Sequence, residues 1–276
     1  MPVPFLAHQV PVLPLKMRRP DRWDGLALVV GSMVPDFWYV TVGFDHGWGG
    51  HSFVVNAHGW FQPLRWILPS MLVVWAVRHI VAPVVPLAFP DAGRWHLRDY
   101  RLLASAHHRW WVTAYSAFVG AFSHVLLDSV THRDGYFVTN YSIMERWWFT
   151  IDGWRVKTWW LAQYVGSVVL CAAALWMVWS IGRRRLMVRW HGGDAAPTAG
   201  DLTRWGARKV RMTLAVSVIV GAAVGVPRYR VTLATAAMTT TLIVLAGAVV
   251  AGWWAQRDVV AREAAPDSPT PVDPLL

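Results

Sequence analysis

His124, Asp128 and His132 fall in the run Ser123-His124-Val125-Leu126-Leu127-Asp128-Ser129-Val130-Thr131-His132, inside an otherwise apolar segment. On an α-helix they stand at i, i+4 and i+8, stacked on one face about a turn apart. Imidazole nitrogen and carboxylate oxygen at this spacing suit Zn²⁺ or a similar divalent ion. Ionisable groups at membrane depth are costly unless they face a protein interior, a watery cavity, a partner or a metal. A polar helix end hydrogen-bonded to its neighbours would use the same three residues. The triad alone leaves both readings open.

The composition points to a membrane protein. The chain has 276 residues, 55% of them apolar and 15% charged, with 20 Trp. Its mean hydropathy is +0.33. Soluble domains usually carry about 25% charged residues, and here the apolar residues are blocked into runs. The expected class is an all-α, polytopic helical bundle. The single Cys171 excludes an internal disulfide and a Cys-based zinc site. No signal peptide is expected, because Met1 to Leu15 lacks a basic start and is broken by Pro2, Pro4, Pro11 and Pro14.

Six apolar runs match the roughly 17 to 25 residues that cross a hydrocarbon core: Leu26 to Val42, Leu64 to Ala82, Trp110 to Val130, Trp159 to Ile181, Val210 to Val226 and Val231 to Trp254. Gly31, Pro35 and Asp36 interrupt the first, which reads as broken or re-entrant. In the second, Arg65, Arg78 and His79 lie near the ends, where they can snorkel. The chain divides into an embedded helical domain carrying the His/Asp cluster (1–182), a basic cytoplasmic loop (183–209), a transmembrane hairpin serving as an anchor (210–256) and a disordered tail (257–276).

Lys and Arg set direction. The stretch Arg183 to Arg211 is densely basic and reads as cytoplasmic, and alternation places Lys16 to Arg22, Arg94 to Arg109 and the C-terminal tail on the same side. Both termini are then expected inside a plasma-membrane protein. The net charge of +10 is thus topological, with anionic lipid as a second contact and no nucleic acid partner. On this topology Asp36, the loop holding Asp45, His46, His51 and His58, and the triad all reach the outer side. No Lys or Arg falls from Gly43 to Pro63. That convergence favours a metal site built from Asp36, His51, His124 and Asp128. His46 and His58 read as loop residues, and Asp36 after Pro35 has a helix cap as its alternative. Tyr136 to Trp160 is rich in aromatics, an interface belt that anchors the fourth span and would suit a lipid-like substrate.

The sequence resembles the actinobacterial multispan family catalogued as domain of unknown function 4184. The resemblance rests on Pro4-Phe5-Leu6-Ala7-His8, Val30-Gly31-Ser32-Met33-Val34-Pro35-Asp36, His51-Ser52, Ser123-His124 through His132, and Gln163-Tyr164-Val165-Gly166-Ser167, in the family's order. More remotely, the order of ligand types is similar to that of the predicted membrane-bound metal-dependent hydrolases, zinc-dependent phospholipase C and the P1-type nucleases. That likeness implies His8, Asp36, His51, His124 and Asp128 as metal ligands. The phospholipase pattern ends in a second His-x-x-x-Glu, which does not follow here, since Glu145 has no His four residues before it. One or two metals therefore fit better than three. The charge rule puts His8 inside, away from its partners. Either Met1 to Asp24 lies outside with a re-entrant first span, or His8 is not a ligand.

The leading expectation is metal-dependent hydrolysis of a phosphoester or lipid-like substrate at the outer face, with a divalent metal such as zinc and His132 as candidate proton acceptor. A non-catalytic scaffold with a structural polar or metal cluster is the alternative. A transporter using Asp36 in a broken helix is a third reading, weakened by the lack of an internal repeat. The topology is checked with single cysteines placed at Gly50 and Gly193 in a Cys171→Ser background. An impermeant thiol reagent on intact cells is expected to label the Gly50 site and spare the Gly193 site.

Overall fold

The computed structural model of the chain describes residues 4–41, 60–90, 93–193, 202–228 and 233–263. Two short helices, α1 (Pro4–Ala7) and α2 (Leu13–Arg18), lead into α3 (Gly25–Gly31) and a 3₁₀ segment over Val34–Thr41. After α4 (Ile67–Ala76) comes a π turn (Val77–Val81), then 3₁₀ turns at Val85–Ala88 and Leu97–Ser105. The long α5 (Trp110–Thr131) is followed by α6 (Tyr136–Asn140) and an antiparallel hairpin, β1 (Trp147–Ile151) with β2 (Trp154–Lys157). Then come α7 (Thr158–Arg183), α8 (Leu186–His191), α9 (Arg204–Arg228) and α10 (Leu233–Glu263).

Among the described residues, five helical stretches are long and apolar enough to cross a membrane: Gln62–Val81, Trp110–Asn140, Thr158–Arg183, Arg204–Pro227 and Thr235–Val260. The first expected span is the exception, a shorter apolar helix over Gly25–Phe37. Its breakage has a local cause. Asp24 starts α3 by accepting the Ala27 amide at 3.2 Å. Pro35 has no N–H to continue the α-helical ladder, and a 3₁₀ segment takes over.

Small residues set the packing of α3 on α5. A side chain added at Gly31 would overlap the Ala117 backbone, and one added at Gly120 would overlap the Leu28 carbonyl. Ala27, Ala117 and Ala121 are fully buried beside this crossing, with Val30, Val34, Trp66 and Val74 completing the core. Without a hydrophobic drive between helices in lipid, such close approach is what holds them together.

The last two helices form a hairpin that packs against the rest of the bundle. Thr240 Oγ1 donates to the Gly221 carbonyl at 3.0 Å, joining α9 to α10. The α10 helix also packs against Val34–Thr41 and against the π turn. There Gln256 donates to the His79 and Ile80 carbonyls at 2.7 and 3.0 Å. The α10 helix continues to Glu263, past the expected end at Gln256. The 183–209 stretch is likewise not a plain loop, since it holds α8 and the first turn of α9. Residues 264–276 lie outside the described residues.

One end of the bundle is basic and internally paired. Arg185 grips Asp99 through Nε and Nη2 at 2.6 and 2.9 Å. Arg211 donates to the Ala88 carbonyl at 2.6 Å. Arg78 does not snorkel; its Nη2 lies 2.7 Å from Asp24 Oδ2. The chain then runs between the two ends within its first residues. Lys16 donates to the Trp23 carbonyl at the basic end, while His8 stacks on His124 toward the other end. Asp258 pairs with Lys209 at the basic end. The described N-terminal segment thus reaches both ends, with Lys16 at the basic end and His8 at the other. Counting Lys and Arg assigns a whole segment to one side, and here the segment itself crosses between levels.

Gly120→Val is expected to lower the melting temperature of the detergent-solubilised protein, because overpacking costs about 1–3 kcal/mol even where side chains can yield and here backbone is struck. Gly166→Val, with open space at the added carbon, should leave it within a few degrees. Differential scanning fluorimetry of the two variants checks this.

Candidate metal centre

The α3–α5 crossing fixes one ring of the centre. His124, fully buried on α5, has its Nδ1 2.8 Å from the Ser32 carbonyl at the end of α3. A carbonyl can only accept, so this contact assigns the proton to Nδ1. In a neutral ring, Nε2 then carries the lone pair. That Nε2 lies 3.5 Å from Asp36 Oδ1 and 3.2 Å from Asp128 Oδ2. A carbonyl that accepts from the far ring nitrogen in this way is what orients a metal-binding histidine.

Asp36 is carried in by the 3₁₀ segment after Pro35, not as a helix-start cap; Asp24 holds the cap role for α3. Asp128 follows from α5 geometry, one turn beyond His124. His8 comes from the segment after α1 and stacks on His124, with ring centroids 3.9 Å apart and planes 20° apart. Its Nε2 lies 3.6 Å from Asp128 Oδ1, and its Nδ1 is buried with no hydrogen-bond partner among the described residues. His132 Nδ1 approaches Asp128 Oδ1 at 3.3 Å and is the most exposed member, its side chain 23% accessible.

A buried set of imidazoles and carboxylates is balanced either by a metal ion among the lone pairs or by a proton on one of the rings. One ligand atom each from His8, Asp36 and His124 lies within 4.8 Å of the others. All three residues are buried. Two imidazoles and a carboxylate, with Asp128 beside them, form the donor chemistry of a zinc-type site. The residues fit such an ion. The structure thus brings together His8, Asp36, His124 and Asp128, with His132 at the margin. His51, along with Asp45, His46 and His58, lies outside the described residues.

The family model for Domain of unknown function (DUF4184) matches residues 1–256. The chain belongs to that family. No curated protein and no solved structure matches it.

In this DUF4184 chain the centre adjoins a cavity of about 340 Å³ between α5 and α7, onto which His8, Asp128 and His132 open. Gln163 and Ser167 contribute polar groups to it, and Leu127, Val130 and Leu170 are among its apolar walls. Sequence reading placed Gln163 and Ser167 in a family motif but gave them no part in the site. Their signal was positional: two polar residues one turn apart in an apolar span. Zn²⁺ or Mn²⁺ titrated into metal-stripped protein is expected to bind. Asp36→Ala and His124→Ala should each weaken binding about 10- to 100-fold or more, the scale seen when a metal site loses even an outer-shell partner. His58→Ala should bind as wild type. Calorimetry in detergent, with far-UV circular dichroism to check folding, measures this.

Proposed function

We propose that this protein is a membrane-embedded, metal-dependent hydrolase acting on the phosphoester of a lipid-like molecule. The observation that carries the reading is the buried His8/Asp36/His124 cluster set at the edge of a largely apolar cavity between two membrane-type helices. A water-soluble substrate has no use for walls of Leu127, Val130 and Leu170. An amphiphile does, with its headgroup at the polar end and its chain along the helices.

His8, Asp36, His124 and Asp128 would hold the ion, zinc in the first instance. When bound, a divalent ion supplies Lewis acidity to a phosphoryl oxygen and lowers the pKa of water. His132, exposed to the cavity and 3.3 Å from Asp128, accepts the proton of the attacking water and returns it to the departing alkoxide. Asp128 orients that ring. Gln163 and Ser167 face the cavity where headgroup oxygens would lie. With the basic end taken as cytoplasmic, the centre belongs to the outer half of the plasma membrane.

The test is hydrolysis by purified protein reloaded with Zn²⁺ or Mn²⁺. A short-chain phospholipid in mixed micelles should turn over at least tenfold faster than a soluble phosphodiester. His132→Ala should lower kcat by about 10²-fold or more while retaining bound metal, and Asp128→Ala should lose both. Gly166→Val, which fills the cavity wall, should raise KM for the phospholipid and leave the soluble diester unchanged. Bound metal without turnover of phosphomonoesters, phosphodiesters or phospholipids would make the cluster a structural site in a membrane scaffold.

A further inference from the structure

A second cavity, of about 210 Å³, lies at the basic end between α2, α3, α7 and α8. Its walls are apolar, with Leu13, Val29, Ile181 and Met187 among them, and its polar lining includes Lys16, Asp24, Arg78 and His191.

The charges there do not cancel. Burial would raise the Asp24 carboxyl, but Arg78, Thr113 and the Ala27 amide hold it below the usual carboxylate range. Its oxygens are engaged: Oδ2 by Arg78 and Thr113, each at 2.7 Å, and Oδ1 by the Ala27 amide. Asp24 therefore answers one of the two cations. The other is Lys16, only 4% exposed; the Asp21 carboxylate also acts on it, but from an exposed position outside the cavity lining, so the lining itself keeps one cation in excess. The Lys16 ammonium donates to the Pro20 and Trp23 carbonyls at 2.7 and 2.9 Å, which uses two of its three N–H groups. Carbonyl dipoles solvate the ammonium without cancelling its charge. Burial, then Lys16 and His108, push His191 down to about 4, so the ring stands neutral beside that excess positive charge. The Tyr100 phenol also lines the space and, pushed up to about 12 by burial and Asp99, stays protonated.

A cavity with a net positive floor and apolar walls selects an anion that carries a hydrocarbon chain. Basic pockets between membrane helices hold lipid headgroups by this combination. We propose that this cavity binds the phosphate of an anionic phospholipid, with Lys16 as its principal charge partner and Tyr100 and His191 as hydrogen-bonding partners. The acyl chain lies along Leu13, Ile181 and Met187. The site is separate from the His8/Asp36/His124 cluster and does not depend on any activity there.

Delipidated wild-type protein in neutral detergent is mixed with phosphatidylglycerol, with phosphatidylcholine, or with inorganic phosphate, and its melting temperature is followed. Phosphatidylglycerol should raise it by several degrees, and the other two should not. Lys16→Met keeps the aliphatic stem and removes the charge; it should weaken the phosphatidylglycerol response at least tenfold in concentration. Equal responses to phosphatidylglycerol and phosphatidylcholine would overturn the proposal, as would a Lys16→Met protein that keeps the preference. A response to inorganic phosphate matching that to phosphatidylglycerol would make this a free-anion site and overturn the lipid assignment. Because a buried-lysine variant can fail to fold, a second measurement uses wild type alone. Phosphatidylglycerol with a photoactivatable acyl chain should crosslink to peptides containing Leu13, Ile181 or Met187, and crosslinks confined to other peptides would overturn the proposal.

Discussion

Gly31 and Gly120 let the backbones of α3 and α5 meet without side chains between them, and the candidate centre follows from that approach. A carbonyl can reach a ring nitrogen on the neighbouring helix only when the helices come this close. Ser32 O then lies 2.8 Å from His124 Nδ1, and the 3₁₀ segment carries Asp36 to within 3.5 Å of the same ring. Any side chain at either glycine would separate the helices by more than these contacts tolerate. In lipid the loss is not made up by hydrophobic burial elsewhere, because tails and apolar side chains are equivalent surroundings.

The two ends of the bundle treat charge differently. At the basic end each buried carboxylate meets a guanidinium, Asp24 with Arg78 and Asp99 with Arg185. Breaking the buried Asp24–Arg78 pair costs about 3–5 kcal/mol, because the remaining charge is stranded; the Asp99–Arg185 pair, with Arg185 half-exposed, is worth less. At the other end Asp36 and Asp128 meet imidazoles, groups that can carry a proton or give a lone pair to a metal. Guanidiniums would satisfy the carboxylates more firmly and leave nothing for a ligand.

Much of the centre was legible from periodicity. His124, Asp128 and His132 share a face because a helix repeats every 3.6 residues, and the apolar runs marked the helices that carry them. His8 was harder. The charge rule counts Lys and Arg over a segment, and Lys16 to Arg22 outvoted a histidine that the chain carries to the opposite end. The Trp147–Lys157 hairpin also went unread. Its signal was Asp152-Gly153, both at positive φ (48° and 81°) in a two-residue turn and flanked by aromatic and β-branched residues. In a Trp-rich stretch those flanks suggested an interfacial belt instead. The Asp24–Arg78 pair was hidden because it joins positions 54 residues apart, a distance that no local pattern spans.

The helix α3 joins these observations into one arrangement. It has seven residues, about 10 Å of rise. Its first turn is held by Asp24, which Ser116, Thr113 and Arg78 fix to α5 and to the π turn. Its last turn presents Ser32 to His124 on the same α5. Both ends of a short, stiff element are thus referenced to one long helix, so Asp36 has little freedom relative to His124 and Asp128. Burying two carboxylates and two imidazoles together costs desolvation that their mutual pairing only partly returns. The paired charges and close packing at the other end of α3 offset that cost, which is how a bundle can keep a buried His/Asp set in place for a ligand to find.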